Sequence, residues 1–490
     1  MQRLSDCVPA CPYGVITADK GGGGTAHKCT LCYDRLKGGL EPACAKACPT
    51  DSIQFGPIEE LRARAQTRVD ALQQRGCEGA RLYGDPGGVG ATHGVQSLRS
   101  FFLLLDEPNV YGLPAAPKLP SRNVGPGLLA SFAAGALLVG ATALALMGRK
   151  MREALERTGY RASLAAEYTD GHAPSLQNPV GEPLSKPSYF GLPAIKKPEW
   201  GWYVPACFFI GGTAAGAYIS SSVADMVGRR ADRPYIVAGR LVALFGVLAS
   251  LPLLVADLGR PDRFLNMLRV FKPRSMMSTG SWALTAFGGF SGLAVGVEVL
   301  RVLSARWPLL RVLIVPLRVV SWFGVLPAMY VGSYTGVLLS ATNVPLWAGN
   351  PFLMGPLFLS SAMSCGLAAN RVGARFCGPV HPSGARRYAR AEHRVLIAEL
   401  VITIASALML RGLAKPLLTG RWSRFYLVGS LGSGILAPLL LERLGLRGGF
   451  WTFVSSILVL VGGASTRLAV TEAGKESADD PHAYFAYTRP

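Results

Sequence analysis

Long apolar segments occupy most of the chain after residue 200, and they restrict the fold more than any other feature of the sequence. A helix needs about 20 consecutive, predominantly apolar residues to cross the hydrocarbon core of a bilayer. The first such segment, Leu128–Met147, has no charged residue. Eight more spans are predicted near residues 202–224, 236–256, 279–300, 319–340, 350–370, 394–412, 424–441 and 450–468, the last two being short and Gly-rich. The sequence therefore predicts a mostly α-helical, polytopic membrane bundle of about eight spans plus one preceding span.

The charge balance agrees with a membrane protein. Half of the residues are apolar and only 16% are charged, against about 25% in an ordinary soluble domain. The net charge of +20 comes from basic residues that lie between apolar segments and form no single run. This pattern favours contacts of loop arginines with anionic lipid headgroups over binding of nucleic acid. The start, MQRLSDCVPACPYG, lacks the apolar core of a signal peptide.

The side of the membrane is not determined by charge. If the spans alternate in direction, the loops at 225–235, 301–318 and 371–394 share the N-terminal side and hold most of its Lys and Arg. The opposite side then holds the segment 149–199 and the basic loop LGRPDRFLNMLRVFKPR. Because short-loop charge sets orientation and the two sides nearly balance, no orientation is predicted.

Six of the ten cysteines crowd into the first 48 residues, in spacings typical of iron–sulfur sites. Paired thiolates on one tight turn, and a Cys before Pro that reaches a second cluster, are features of two-cluster ferredoxins. Zinc is the remaining alternative for a C-x2-C pair, while the spacings disfavour a disulfide framework. The six are Cys7, Cys11, Cys29, Cys32, Cys44 and Cys48. The other four cysteines are predicted to be structural.

The stretch CVPACPYGVI, followed by HKCTLCYDRLKGGLEPACAKACPTDSIQFG and YGDPGGVGATHGV, resembles the second half of the four-cluster iron–sulfur subunit of molybdopterin oxidoreductases, with formate dehydrogenase beta subunits most similar. The family motif C-x2-C-x2-C-x3-C-P would place its first two ligands on Met1 and Leu4, neither of which is a thiolate. The resemblance implies that Cys29, Cys32 and Cys44 serve one cluster. We expect at most one 4Fe-4S cluster, and a disrupted reading frame or degeneration upstream.

Three further segments resemble the NrfD and polysulfide reductase family of membrane anchors. They are PEWGWYVPACFFIGGTAAGAY, LLVADLGRPDRFLNMLRVFKPRSMMSTGSWAL and YVGSYTGVLLSATNVPLW, in the family's order. The resemblance covers about residues 198–475. It implies an eight-helix anchor that interacts with quinone and docks onto an iron–sulfur subunit.

These features divide the protein into five predicted parts. Residues 1–122 form a partial 4Fe-4S ferredoxin-type domain with a helix at Ile58–Arg75, followed by a single transmembrane helix over 123–150. A polar linker covers 151–197, the NrfD-like transmembrane domain covers 198–475, and a tail covers 476–490. The predicted fold is thus a helical membrane bundle with a small N-terminal ferredoxin-like fragment.

Quinone chemistry moves two electrons and two protons, so hydrogen-bonding and ionisable groups near the spans are candidates for a quinone site. Tyr334, in the family motif YTG, is the strongest, and Tyr330 lies four residues away on the same helix face. An interfacial aromatic belt is the alternative for these tyrosines. Tyr203 is a weaker candidate. Trp347 is predicted to belong to the belt.

Ionisable residues supply further candidates. Asp257 and Arg260, three residues apart at a span end, could contact quinone or form a structural ion pair. Glu399 lies well inside a span, where a proton relay or quinone contact competes with a satisfied interhelical hydrogen bond. Glu298 is predicted to face headgroups. No histidine lies mid-span, so no haem b ligand pair is predicted.

No P-loop, dinucleotide fingerprint or nucleophile elbow is found, so substrate chemistry is expected on another subunit. The predicted function is a membrane-anchoring electron-transfer subunit of a formate dehydrogenase-like molybdopterin oxidoreductase, in a bacterial inner membrane. It would pass electrons between iron–sulfur clusters and menaquinone or ubiquinone, with a molybdopterin catalytic subunit and a further iron–sulfur subunit as partners. The alternatives are a redox-inactive anchor with degenerate clusters, and a proton translocator using Asp257 and Glu399.

Overall fold

The computed structural model describes residues 16–18, 26–27, 29–30, 32–84, 100–115, 117–118, 120–146, 195, 197–198, 200–256, 261–273, 275–445 and 449–488. Four predicted site residues, Cys7, Cys11, Asp257 and Arg260, lie outside these ranges.

Helices make up most of the described residues. They are Tyr33–Lys37 (α1), Ala43–Lys46 (α2), Ile58–Gln74 (α3), Val124–Leu146 (α4), Tyr203–Val227 (α5), Arg233–Ala256 (α6), Met276–Leu303 (α7), Arg311–Trp322 (α8), Val325–Ser340 (α9), Pro345–Ala348 (α10), Met354–Gly373 (α11), Pro382–Leu410 (α12), Lys415–Leu418 (α13), Ala437–Arg443 (α14), Gly449–Ala478 (α15) and Pro481–Thr488 (α16). A π-helix, Phe425–Leu436, leads directly into α14. Short 3-10 helices cover Pro108–Tyr111, Pro120–Asn123, Arg230–Asp232, Pro261–Leu268, Pro308–Leu310 and Arg411–Ala414.

The N-terminal fragment contains two small antiparallel sheets. Thr17–Ala18 (β1) pairs with Ala26–His27 (β2), and Arg81–Tyr83 (β3) pairs with Phe102–Leu104 (β4). The predicted helix is present as α3 and packs beside β3. Tyr83 is buried and donates a hydrogen bond to the carbonyl of Pro114 at 2.8 Å, which ties this fragment to the segment that leads into α4.

Eight of the described helical segments are long and apolar enough to cross a membrane, so the predicted fold class is confirmed. They are Ser121–Leu146, Tyr203–Val227, Arg230–Ala256, Met276–Leu303, Pro308–Ser340, Pro382–Leu418, Phe425–Arg443 and Gly449–Ala478.

The span predicted near 350–370 forms a helix, α11, but is not one of those eight. Its polar side chains lower its hydropathy, and Ser360, Ser361, Ser364 and Asn370 are each at most 1% exposed. α11 is surrounded by protein, since it packs against α4, α5, α6, α9, α12 and α15. A helix enclosed by other helices can carry groups that lipid would not tolerate. α11 is therefore the central helix of the bundle.

α5 runs parallel to α11. Near their starts the rings of Phe208 and Phe358 lie 6.4 Å apart in an edge-on arrangement. Near their ends the amide of Asn370 donates to the hydroxyl of Ser220 at 2.9 Å. The N-terminal ends of both helices therefore lie on one face of the bundle.

α4 also runs parallel to α11. The expectation that successive spans alternate in direction is therefore wrong for α4 and α5. Ser131 lies against Gly355 near the helix starts, and Gly135 lies against Leu359 one turn further along. Small residues at four-residue spacing on α4 allow this close approach. Consequently α4 and α5, consecutive spans among the described residues, begin on the same face.

The helix ends lie on two opposite faces of the bundle. The N-terminal face contains Asn123, Trp200 and residues 341–353. The far face contains residues 228–232, 304–310 and 374–381. The arginine-bearing loops that alternation placed on the N-terminal side thus lie on the opposite one.

The span predicted over 319–340 is interrupted where α8 ends and α9 begins. The hydroxyl of Tyr218 donates to the carbonyls of Ser321 at 2.5 Å and Phe290 at 3.3 Å at this break. A Cβ at Gly324 would overlap the same hydroxyl. The break is therefore filled by a buried tyrosine from α5.

Glycines at four-residue spacing predict close helix packing in lipid, and two such stripes occur, one on α5 (Gly212 and Gly216) and one on α7 (Gly288, Gly292 and Gly296). The two stripes differ in their surroundings. A Cβ at Gly216 would overlap the carbonyl oxygen of Ala362 on α11, and one at Gly212 would lie 2.9 Å from the guanidinium of Arg467. By contrast, no described atom lies within 4 Å of a Cβ at Gly292. Close helix packing, the role predicted for these glycines, therefore applies to the α5 stripe.

Gly216→Ala is expected to destabilise the bundle by about 1–3 kcal/mol, because the added methyl must separate α5 from α11. Gly292→Ala, the matched control on α7, is expected to be neutral or slightly stabilising, since alanine favours helix. Thermal unfolding of the purified protein in detergent measures both. Equal midpoints for the two variants would contradict the close packing.

Candidate functional site

Cys32 lies at the start of α1 with a left-handed backbone (φ 52°). Its Sγ accepts a hydrogen bond from the backbone N–H of Ala43 at 3.5 Å. The backbone between these residues thus folds back and brings the start of α2, which carries Cys44, towards Cys32. Both Cys44 and Cys29 are exposed.

Cys48 has a set of donors directed at its sulfur. The backbone N–H of Ser52 donates to its Sγ at 3.2 Å, and the hydroxyl of Thr50 lies 3.5 Å away. Hydrogen bonds from Thr50 and the backbone of Ile53 lower the pKa of the Cys48 thiol to about 7, because they stabilise the thiolate. The thiolate is the form that binds a metal.

The donor chemistry of this segment fits an iron–sulfur cluster, since soft thiolates with N–H···S hydrogen bonds are what such clusters use. Within the part of the protein that the structure describes, no three His, Cys, Asp or Glu side chains come together as a metal-binding group. Cys7 and Cys11 lie outside that part. The assignment of the six cysteines as ligands therefore remains a prediction.

The region Cys7–Cys48 is called the cysteine module here. The segment that joins it to α4 is attached to the N-terminal face of the bundle. The amide of Asn123 donates to the carbonyls of Ser340 at 2.7 Å and Ala348 at 3.4 Å. The ammonium of Lys118 donates to the carbonyl of Tyr487 at 2.6 Å and lies 4.6 Å from the centre of its ring. Ser340 and Ala348 flank the motif end TNVPLW, so this segment lies directly against the YTG region.

Tyr330 and Tyr334 share one face of α9, as their spacing predicts, with ring centroids 5.7 Å apart in a stacked arrangement. The hydroxyl of Tyr330 donates to the hydroxyl of Thr279 on α7 at 2.8 Å. A Cβ at Gly280 would overlap the hydroxyl end of Tyr334. Glycine at this position therefore lets the Tyr334 ring lie against the backbone of α7. Both rings are half-buried.

Of the other predicted quinone contacts, the structure describes Tyr203 and Glu399 but not Asp257 and Arg260. Tyr203 begins α5 on the N-terminal face, and its ring centroid is 4.4 Å from that of Trp202. Asp257 and Arg260 follow Ala256, the last residue of α6, in the sequence and lie outside the described residues. Their ion pair is thus untested.

Glu399 is buried in α12 and accepts a hydrogen bond from the hydroxyl of Ser364 on α11 at 2.6 Å. This is the interhelical hydrogen bond that the sequence left open as an alternative. The backbone carbonyl of Glu399 also accepts from Thr403 at 2.7 Å. The carboxylate therefore lies inside the bundle, next to the central helix.

Arg467 of α15 is a second buried charged group at the centre of the bundle, and it interacts electrostatically with the Glu399 side chain. Its guanidinium donates to the hydroxyl of Ser361 at 2.8 Å and to the carbonyls of Phe208 at 3.2 Å and Gly463 at 3.0 Å. It is 1% exposed. The predicted span ended at 468, which put Arg467 at a boundary, whereas α15 continues to Ala478. An arginine within GGASTRLAV was the signal for this group.

Trp347 corrects a prediction. It is 0% exposed, stacks on Trp200 with centroids 5.3 Å apart, and donates its indole N–H to the carbonyl of Val470 at 2.8 Å. An interfacial belt residue would have its ring at the headgroup level. Trp347 instead fills the core beneath the N-terminal face.

Glu298 is also placed differently from the prediction. It accepts hydrogen bonds from Arg233, Arg240 and Arg301, and its side chain is 12% exposed. Arg240 also donates to Asp225 at 2.8 Å. Glu298 therefore belongs to an ion-pair network that joins α5, α6 and α7 near the far face, which the sequence did not predict.

Ser364→Ala is expected to destabilise the bundle by about 1–2 kcal/mol, because it removes the donor to a buried carboxylate. Ser360→Ala is the matched control, since Ser360 lies one turn earlier on α11 and its hydroxyl donates to the carbonyl of Leu357 at 3.0 Å. Chemical or thermal unfolding in detergent measures the difference. A Ser360 variant as unstable as the Ser364 variant would contradict the assigned contact.

Comparison with known proteins divides the sequence in two. A family model described as "Polysulphide reductase, NrfD" matches residues 195–477. Another, described as "4Fe-4S dicluster domain", matches residues 1–58. Both resemblances predicted from the motifs are confirmed.

Individual relatives show the same division. The formate dehydrogenase iron-sulfur subunit of Haemophilus influenzae is 43% identical over 114 residues, which is 23% of this chain and 35% of that subunit. The formate dehydrogenase-O iron-sulfur subunit of Escherichia coli is 42% identical over 114 residues, 23% of this chain and 36% of that subunit. The C subunit of polysulfide reductase from Wolinella succinogenes is 28% identical over 304 residues, 56% of this chain and 94% of that protein. The chain thus spans about a third of the two formate dehydrogenase subunits.

Proposed function

The chain belongs to the polysulphide reductase, NrfD family of membrane proteins, and on that premise we propose that it passes electrons between an iron–sulfur cluster and a membrane quinone. One observation carries the proposal. The segment that follows the cysteine module is hydrogen-bonded through Asn123 to Ser340 and Ala348, beside the YTG motif. The cysteine module and the candidate quinone site are therefore reached from the same face of the bundle.

The quinone would bind near the N-terminal face between α7 and α9. Tyr334 is the proposed hydrogen-bond donor to a quinone carbonyl, and Tyr330 and Thr279 hold its neighbouring surface. Asp257 and Arg260, at the end of α6, are proposed to supply a second polar contact and a proton. Tyr203 is proposed as a further, peripheral contact. Menaquinone and ubiquinone both present the two carbonyls that this arrangement requires.

The cluster would be held by thiolates of the cysteine module. Cys29, Cys32 and Cys44 are the proposed ligands of one 4Fe-4S cluster, with a fourth thiolate from Cys7, Cys11 or Cys48. Such a cluster supplies one-electron transfer when it is bound. The N–H groups of Ala43 and Ser52, at 3.5 and 3.2 Å from sulfur, would stabilise the thiolate charge.

The partners are proposed by analogy with the relatives. The iron–sulfur segment is similar to subunits of formate dehydrogenases, and the membrane domain is similar to a subunit of polysulfide reductase. We propose that a molybdopterin catalytic subunit oxidises formate, or reduces polysulfide, and exchanges electrons with this protein. A further iron–sulfur subunit is a second proposed partner.

The proposed location is a bacterial inner membrane, crossed several times. Arginines of the far-face loops and helix ends are numerous, and basic residues near span ends favour the cytoplasmic side. The described ones include Arg229, Arg230, Arg306, Arg311, Arg375, Arg386 and Arg390. We therefore propose that the N-terminal face, with the cysteine module, lies on the outer side.

Tyr334→Phe is expected to lower quinone-linked electron transfer about ten-fold, because one hydrogen bond to the quinone is lost. Assembly in the membrane should be unchanged, since the ring is retained. Tyr235→Phe on the far face, where Tyr235 stacks on Tyr388 with centroids 4.1 Å apart, is the control. Turnover of membranes with a water-soluble quinone analogue measures both. Wild-type turnover in the Tyr334 variant would remove Tyr334 from the site.

A second candidate function, proton translocation, is favoured by the row of polar groups at the bundle centre. A buried row of hydrogen-bond donors and acceptors crosses α12, α11 and α15. In it Ser364 donates to Glu399, and Arg467 donates to Ser361. Buried ionisable groups inside spans are expensive and commonly serve ion or proton pathways. Asp257 is the proposed group nearer the quinone.

Glu399→Gln separates the two functions, because the amide oxygen still accepts from Ser364 while the proton-carrying group is lost. Translocation through Glu399 predicts fewer protons moved per electron with quinone reduction retained. Glu472→Gln on the N-terminal face, where Glu472 pairs with Lys475 at 2.5 Å, is the control. Proton uptake by reconstituted vesicles, followed with a pH-sensitive dye, gives the ratio. An unchanged ratio would exclude Glu399 from proton movement.

A further inference from the structure

A cavity of about 500 Å³ opens on the far face, between the first turns of α12, the helix α14 and the start of α15. It is remote from the candidate quinone site, which lies towards the N-terminal face. Two exposed arginines, Arg386 and Arg390, lie one turn apart on α12 at its mouth. The hydroxyl-bearing residues Thr452 and Ser455 line the opposite side, on α15.

The lining of the cavity contains more arginines than carboxylates. Four arginines line it against two carboxylates, Glu392 and Glu442. Arg371 pairs with Glu392, and Glu442 lies 2.8 Å from the imidazole of His393. Both carboxylates therefore have basic partners in the wall, and the lining as a whole carries more positive than negative charge.

The remaining arginine of the wall is fixed in place. Arg387 is buried and donates to both carboxylate oxygens of Asp232, with contacts of 2.8 and 3.2 Å. This pair anchors the first turns of α12 to the 3-10 helix Arg230–Asp232. The neighbouring Arg386 and Arg390 are thus presented from a rigid helix.

The inner end of the cavity is apolar. Leu396 lies ten residues after Arg386 on α12, which corresponds to about 15 Å along the helix axis. Pro438 and Leu441 of α14 line the same end. Trp451, at the start of α15, lies beside the mouth, the level at which interfacial tryptophans are common. The cavity therefore changes from cationic to apolar with depth into the bundle.

We propose that this cavity binds an anionic phospholipid, with the phosphodiester between Arg386 and Arg390 and an acyl tail against Leu396 and Leu441. Basic pockets between membrane helices are suited to anionic lipid headgroups, and arginine provides charge-assisted hydrogen bonds to phosphate oxygens. A free phosphate would use the arginines and leave the apolar end unused, so the shape favours a lipid. The bound lipid would join α12 to α15 on the far face.

The test compares the full-length protein in neutral detergent with and without added phosphatidylglycerol. Because a ligand that binds only the folded state raises the unfolding midpoint, phosphatidylglycerol should raise the midpoint and phosphatidylcholine should not. In Arg386→Gln/Arg390→Gln, half of the maximal shift should require at least a ten-fold higher phosphatidylglycerol concentration. The matched control is Arg306→Gln/Arg311→Gln, two exposed arginines of the same face outside the cavity, which should keep the wild-type response.

Three results would overturn the proposal. They are an equal shift with phosphatidylcholine, an undiminished shift in the cavity variant, and a full shift with inorganic phosphate alone, which would indicate a phosphate site without a lipid. If the double variant does not fold, the single variants Arg386→Gln and Arg390→Gln replace it. Mass spectrometry of lipids that remain after delipidation gives a second readout, in which phosphatidylglycerol should be enriched with the wild type and not with the cavity variants.

Discussion

The polar central helix α11 is the element on which the rest of this bundle depends. A bilayer offers no hydrogen-bond partner to the hydroxyls and amide of α11, so neighbouring helices must supply them and exclude lipid. Asn370 donates to Ser220 of α5, and Ser364 donates to Glu399 of α12. Close contacts such as Gly216 against Ala362 bring the helices near enough for these bonds. The polarity of one helix thus organises the packing of its neighbours.

The parallel arrangement of α4, α5 and α11 determines how the two parts of the protein meet. Because α4 begins beside the YTG-containing region, the preceding cysteine module approaches the bundle on that face. Asn123, with bonds to Ser340 and Ala348, fixes the point of contact. In this arrangement the cysteine module and the proposed quinone site would share the N-terminal face of the bundle. The proposed function follows from this geometry together with membership of the NrfD family.

Motifs and apolar length predicted the fold class, both family resemblances and the helix α3, because each depends on local pattern. Long-range packing was not predictable. Trp347 resembles a belt residue in sequence but is buried by Trp200 and Val470, which are distant in the sequence. The direction of α4 depends on how Ser131 and Gly135 fit α11. Tyr334 became a candidate quinone contact because of its motif. The space that Gly280 leaves for its ring, by contrast, depends on the packing of α7 against α9, which the sequence does not show.

The most direct test of the central claim is iron analysis combined with electron paramagnetic resonance on the anaerobically purified full-length protein, reduced with dithionite and then mixed with a quinone analogue. We predict about four irons per molecule, as in one 4Fe-4S cluster. We also predict a reduced-cluster signal that is lost when quinone is added. A protein without iron, or a cluster signal that persists in excess quinone, would contradict electron transfer between this cluster and the membrane quinone.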